Sequence, residues 1–332
     1  MSDNTINKKI LQDAKASGKE RPWRAKKMKN LTLSKSMHRL GMHKKANRVW
    51  WCGQELEFEV DGETGEKRLK QAHFCRERLC PMCQWRRSLK IICQVGKVMD
   101  RAQEDYKDLV PIFLTLTVRN CKGDNLGGEL DAMFKGWHLL FRRRKLKRFA
   151  KGWFRALEVT YNEDADTYHP HLHAIVMVDK SYFSGSDYMK TEEWVQMWGE
   201  SLRADYRPVC YLRKIRSGKG KRKAVAEVAK YTLKDASIFG GEEAKVDKLV
   251  SVLGSALKGR RLYAFGGLLK DLAKQMCLEG LEEGDFIHGD EQVRFDLAEL
   301  IEKYSWSFGL SNYLLSEVRV PLKEIIDSGL VE

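Results

Sequence analysis

The chain has 332 residues and 43% hydrophobic content, which supports an ordinary folded core and leaves room for one large domain with additions or two to three smaller ones. A net charge of +14 and a pI near 9.3 point to a polyanionic partner, either nucleic acid or an anionic membrane surface. No apolar run reaches the length of a membrane-spanning helix and the N-terminus carries no apolar signal core, so a cytoplasmic protein is expected.

Residues 1–48 read as a basic arm: from Arg21 to Arg48 there is no acidic residue. Short strands are expected at 49–53 and 56–60, around a turn at Asp61-Gly62. Cys75, Cys80 and Cys83 follow, with the two-residue Cys80-Pro-Met-Cys83 spacing that opens zinc sites. Cys52 is a plausible fourth thiolate and His73 an alternative, giving a structural zinc site of Cys52, Cys75, Cys80 and Cys83. In a reducing compartment such cysteines are ligands or thiols rather than disulfides. A helix is expected from 84 to about 105, a strand at 111–118 and a helix at 130–149 with a basic end.

Next come strands at 153–161 and 169–178, separated by a polar turn cluster that should make them a hairpin. A helix at 191–205, a strand at 209–215 and a helix at 224–235 complete the series. From residue 110 the order is β-α-β-β-α-β and then a helix, the ferredoxin-like arrangement of an antiparallel sheet with helices on one face. The fold class expected is therefore α+β. Residues 240–332 end in helical patterns, and from Glu279 onward the chain is acidic.

The most informative residues are His169-Pro170-His171-Leu172-His173. On a strand, alternate side chains share a face, so the three imidazoles point the same way and offer a divalent-metal site. Glu158, between Leu157 and Val159, is costly to bury unless paired or metal-bound. Glu158 and His169 compete as third ligand to His171 and His173. Mixed histidine and carboxylate ligation suits Mn²⁺ or Mg²⁺ acting on a phosphoryl oxygen. Further along, Glu227 and Tyr231 are spaced i,i+4 and share a helix face, with Lys234 one turn later. Such a phenol can attack a polarised phosphate, helped by a cation that favours the phenolate, while the glutamate serves as base.

These motifs carry a resemblance. His171-Leu172-His173 resembles the His-hydrophobe-His motif of HUH endonucleases. Residues 113–120 resemble the upstream strand motif of plasmid rolling-circle replication initiators, and residues 227–234 their catalytic helix. The branch resembled has a Cys-rich zinc segment and a single tyrosine with a glutamate one turn before it. The similarity runs from about Cys52 to residues 265–270.

The resemblance implies a metal-dependent nickase and strand transferase of the HUH type. Tyr231 would form a 5′-phosphotyrosine and free a 3′-OH at a plasmid origin, and Glu227 would later activate water to terminate. Host helicase and polymerase are implied partners, with origin DNA in single-stranded or hairpin form. The implied organisation is a basic arm (1–48), a zinc module with a helix (49–105), an endonuclease domain (106–240) and a mostly helical acidic extension (241–332). Arg142, Arg143, Arg144, Arg213, Lys214 and Arg216, in two inner basic blocks, are expected to meet DNA phosphates. Trp23, Trp50 and Trp51 are available to stack unpaired bases, with packing the favoured alternative for the Trp50–Trp51 pair. A non-catalytic, zinc-containing nucleic-acid-binding module is the competing reading, and an HUH transposase or relaxase would share the chemistry.

Overall fold

The computed structural model describes residues 9–13, 21–185, 187–216, 218–229, 238–278, 280–287 and 300–320. The chain is mixed α and β, and it divides into two compact units, Met1–Arg86 with Asp285–Glu332, and Arg87–Gly284.

The first unit opens with helices α1 (Trp23–Arg39) and α2 (His43–Trp51), not with an arm followed by a strand. The helix α1 buries residues at helical spacing, Trp23, Lys27, Asn30, Ser34 and Met37, and part of that stripe is polar. Each polar member reaches a carbonyl of α2 or of the residue after it. Lys27 Nζ donates to Trp50 O at 2.7 Å and Cys52 O at 2.8 Å, Asn30 Nδ2 to Val49 O at 2.8 Å, and Ser34 Oγ to Ala46 O at 2.9 Å. The final carbonyls of a helix lack intrahelical i+4 partners, so Lys27 and Asn30 serve those of Trp50 and Val49. Trp23 is only 3% exposed and meets Trp85 edge to face at 4.6 Å, so it is a core residue and not a stacking platform.

Strands β1 (Glu55–Val60) and β2 (Lys67–Ala72) form an antiparallel hairpin that lies in one sheet with two strands from the end of the chain, β8 (Leu300–Ser307) and β9 (Asn312–Arg319). The sheet order is β2-β1-β8-β9. In the acidic C-terminal segment, residues 300–307 and 312–319 are thus strands, not helical as the pattern suggested. Helix α3 (Pro81–Asp105) starts on a proline, which needs no amide partner in the first turn.

The second unit holds the β-α-β-β-α-β series: β3 (Leu109–Thr117), α4 (Gly123–Arg142), α5 (Arg144–Phe149), β4 (Ala150–Asn162), β5 (Thr167–Asp179), α6 (Thr191–Leu202) and β6 (Cys210–Lys214). With β7 (Tyr263–Gly267) these strands make an antiparallel sheet of order β6-β3-β5-β4-β7. Strands β3 and β5 are central, and Ile112, Leu114, Leu116, Leu172, Ala174 and Val176 are fully buried. Each large aliphatic side chain so buried contributes about 1.5–3 kcal/mol. Helices α4 and α6 pack together where Gly136 leaves room: a Cβ there would lie 3.0 Å from Leu202 Cδ2 and 3.2 Å from Trp198. Trp137 of α4 meets Trp153 of β4 edge to face at 5.1 Å, so this layer covers the face carrying the odd-numbered residues of β4. Helix α7 (Lys219–Val228) packs against β5.

Strand β7 ends at Gly266-Gly267 and turns at once into the helix Leu268–Gln275. Gly267 sits at φ 54° and ψ −143°, a region essentially restricted to glycine, and a Cβ would lie 2.4 Å from Lys151 O. Gly267→Ala is therefore expected to cost about 2 kcal/mol or more, read as a lower denaturant midpoint at unchanged slope.

Candidate metal centres and catalytic face

The register of the β4–β5 hairpin aligns the first cluster. Directly paired residues present their side chains to one face of a sheet. Glu158 pairs with His171 and His171 with Thr117, while His173 lies between Thr115 and Ala156. Glu158 Oε2 lies 2.8 Å from His171 Nε2 and 2.7 Å from His173 Nε2. Ligands about 2.1 Å from an octahedral centre stand about 3 Å apart, so the three atoms fit adjacent corners of one cation. Glu158 is buried, at 8% exposure. Burial opposes its ionisation, but hydrogen bonds from His171 and His173 outweigh that and hold the carboxyl well below the usual carboxylate range.

Both rings are held from behind. His171 Nδ1 is 3.3 Å from the His169 carbonyl, which can only accept, so Nδ1 is the donor there and Nε2 is the nitrogen turned toward Glu158. His173 Nδ1 is 3.1 Å from Thr115 Oγ1. Such outer contacts set ring orientation and tautomer in metal sites. Of the two alternatives for a third ligand, Glu158 is in the converging group and His169 is not. The His169 ring lies 5.4 Å from that of His171, and burial, then the neighbouring His171 charge, lower its pKa.

The second cluster joins Cys52, Cys75, Cys80 and Cys83, whose sulfurs all lie within 4.8 Å of one another. Thiolates about 2.3 Å from a tetrahedral centre stand about 3.8 Å apart. The Sγ separations are 3.6 Å for Cys52–Cys83, 3.6 Å for Cys75–Cys83 and 3.7 Å for Cys80–Cys52. Asn30 Nδ2 donates to Cys80 Sγ at 3.3 Å and the Arg76 amide to Cys83 Sγ at 3.2 Å. Burial would raise the Cys80 thiol, but hydrogen bonds from Cys52, Cys75 and Cys83 bring it well below the ordinary value. Burial also draws Lys27 down to about 8, against the pull of Cys52, Cys80 and Cys75. His73 is outside this group; its carbonyl accepts from the Gly53 amide at 2.7 Å. Lys27, Asn30 and Thr115 support the two clusters without any signal in the sequence beyond their helical or alternating spacing.

Glu227 stands on α7 and its Oε2 accepts from Arg213 Nη2 at 2.9 Å. The Arg213 guanidinium lies 4.7 Å over the Phe113 ring, which is 5.7 Å from the His173 ring. Contacts thus run from the histidine face to Glu227. Tyr231 and Lys234 lie outside the described residues. Among the arginines expected to meet DNA, Arg213 is taken up by Glu227, and Arg143 pairs with Glu200 at 2.6 Å and donates to Ser201 Oγ at 3.1 Å. Arg142, Arg144, Lys214 and Arg216 are exposed, with Lys214 Nζ 4.5 Å over the Phe183 ring. No helix among the described residues is long and apolar enough to cross a membrane.

Two outcomes test this geometry. Thr115→Val removes the hydroxyl behind His173 and should weaken Mn²⁺ binding about tenfold or more by calorimetry, without lowering the melting temperature. Unchanged affinity would mean that packing alone aims the ring. Cys80→Ser should lose bound metal by elemental analysis and melt α1, α2 and β1 together, since a four-thiolate site contributes folding energy directly.

The chain matches the family model described as "Replication protein" over residues 66–314. A "Protein rep" of Bacillus amyloliquefaciens is 38% identical over 92% of this chain and 97% of its own length. A "Protein rep" of Streptococcus pneumoniae is 38% identical over 84% of this chain and 87% of its own, and one of Lentilactobacillus hilgardii 36% over 93% and 100%. No solved structure matches. Similarity of this breadth places the chain in the replication-protein family, that of the plasmid rolling-circle initiators its strand and helix motifs resemble.

Proposed function

We propose that this protein starts plasmid rolling-circle replication by nicking one strand of the double-strand origin through tyrosine attack. The observation that carries the reading is the convergence of Glu158, His171 and His173 on the sheet face linked through Phe113 and Arg213 to Glu227. Support for the ferredoxin-like HUH reading comes from the strand order: numbering the four strands of the β-α-β-β-α-β series in sequence, they lie 4-1-3-2 and antiparallel.

A divalent cation at Glu158, His171 and His173, Mn²⁺ or Mg²⁺ by its hard and borderline donors, would supply Lewis-acid polarisation of the scissile phosphate. The Tyr231 oxygen forms a bond to phosphorus as the bond from phosphorus to the 3′-oxygen breaks. The 3′-oxygen leaves as a hydroxyl after taking a proton, and the 5′-phosphate stays on Tyr231. Lys234 favours the phenolate before attack. Because a phosphoester replaces a phosphoester, rejoining needs no nucleotide cofactor.

Termination falls to Glu227. Its carboxylate takes a proton from water, the water oxygen bonds to the phosphorus of the regenerated origin site, and the 3′-oxygen at that site leaves as a hydroxyl after taking a proton. Before this, Arg213 holds Glu227 in a half-exposed ion pair, which is weakly bound and open to competition from a DNA phosphate. Zn²⁺ at Cys52, Cys75, Cys80 and Cys83 would be structural, its four positions filled by thiolates. Arg142, Arg144, Lys214 and Arg216 contribute sequence-independent phosphate contacts that weaken with salt. Host helicase and polymerase, by family resemblance, would extend the freed 3′-OH.

Wild-type protein with Mn²⁺ and an origin-bearing single strand should give a cleaved strand and a covalent adduct on a denaturing gel; a binding module would give neither. Tyr231→Phe should bind the strand and form no adduct, and a persisting adduct would remove Tyr231 from the role. Glu227→Ala should still nick but accumulate multi-unit strands, whereas normal termination would assign the base elsewhere.

A further inference from the structure

Trp51, the last residue of α2, is 59% exposed, although an indole is among the most costly side chains to leave in water. Its position is nonetheless fixed on both sides. The carbonyls of Trp50 and Cys52 share the Lys27 ammonium, the Trp50 ring stacks on Phe308 at 5.0 Å and 13°, and Cys52 is anchored among the cysteines. An aromatic held rigid and exposed is a prepared binding surface, since little ordering remains to oppose association.

Two hollows of unlike chemistry adjoin this indole. One, of about 400 Å³, is lined by Ser34, Lys35, His38, Asn47 and Trp50. Its cation is the exposed Lys35, in a stretch from Arg21 to Arg48 that itself contains no Asp or Glu. Such a field attracts a phosphodiester. The other, of about 380 Å³, is lined by Gln54, Glu57, Gln71, His73 and Lys303, besides Glu55 and Ala72. Its carboxylates are matched: Glu57 pairs with Arg319 at 2.9 Å and Glu55 with Lys303 at 3.0 Å. This second hollow offers donors and acceptors in near balance, which suits the edge of a nucleobase and gives a phosphate no net attraction. Side-chain amides and carboxylates meet base amino and imino groups with geometric selectivity.

We propose that Trp51 is the stacking platform of a single-stranded nucleotide site, with the backbone phosphate on the Lys35 and His38 side and the base on the Gln71 and Glu57 side. A base paired and stacked within a duplex cannot lie on the indole, so the ligand is an unpaired strand or hairpin loop. The site rests on the nucleic-acid-binding reading above, but it names a contact that the catalytic face does not supply. Stacking on an aromatic residue tolerates every base, so the site gives affinity to unpaired DNA first and base preference second.

The test uses the full chain with homopolymeric dT, dC and dA strands and an abasic sugar-phosphate strand of equal length and charge. Wild type should bind the base-bearing strands about tenfold or more tightly than the abasic one. Trp51→Ala should remove that difference and leave abasic binding and melting temperature unchanged, while Trp51→Phe keeps most of it. Gln71→Ala, on an exposed strand position, should alter the order among dT, dC and dA. Lys35→Ala should weaken all four strands alike and lower the salt slope by about one. If Trp51→Ala bound every strand as wild type does, the platform would be excluded while the initiator reading stood. If wild type bound no strand at all, both would fall.

Discussion

The pairing of Glu158 with His171 across the β4–β5 hairpin is the constraint on which the candidate catalytic face depends. A slip of one residue would turn Glu158 toward the helix-covered face and leave two imidazoles without their carboxylate. The hairpin turn guards against it. Asn162 Oδ1 accepts from the Ala165 amide at 3.0 Å, and Asp166 adopts φ 47°, a left-handed conformation that Asp tolerates better than most residues. The Tyr161 hydroxyl donates to Asp166 Oδ1 at 2.9 Å and Lys248 Nζ binds the same carboxylate at 2.6 Å. A few polar contacts at the turn thus help fix ligand geometry several residues away, and the sheet transmits it because its core cannot repack in half steps.

In the other unit the comparable constraint is the meeting of α1 with the end of α2. Lys27, Asn30 and Ser34 spend their hydrogen bonds on α2 and its exit, and Asn30 also reaches Cys80. An ammonium beside four converging sulfurs also opposes the negative charge that such a group gathers on binding a dication. The contact that ends a helix therefore also serves the cysteine cluster and sets Trp51 outward.

How legible this was depended on which physical signal each segment carries. Strands at 111–118, 153–161 and 169–178 were readable because β-branched and apolar alternation is strong there, and the four cysteines were readable from spacing. The two-helix start was not. Lys27, Asn30 and Ser34 interrupt the apolar members of its buried stripe, so a reading by hydrophobic period saw a solvated basic arm. The strands β8 and β9 were hidden for a different reason: their hairpin joins the sheet through β8, which pairs with β1 across more than two hundred residues, and no local pattern records a partner so distant. The helix α4 begins seven residues before the expected 130 because Gly123, Gly127 and Gly128 weaken its first turns in propensity but not in packing.

Charge shows most clearly why a tally of residues misleads. The block at 142–148 looked like a DNA-facing surface, yet Arg143, Lys145 and Arg148 each pair with an acidic residue, Glu200, Glu193 and Asp187. Exposed pairs of this kind add little to stability, but they lower the local field that a phosphate would feel. The stretch from Arg21 to Arg48 itself contains no acidic residue, and Arg48 pairs with Glu77 from further along the chain. A count of Lys and Arg in a segment therefore does not by itself give its attraction for a polyanion. What decides is whether the fold has already brought an acidic partner to each; two of the three, Glu193 and Glu200, stand on α6, whose pattern marks a helix without showing what it faces.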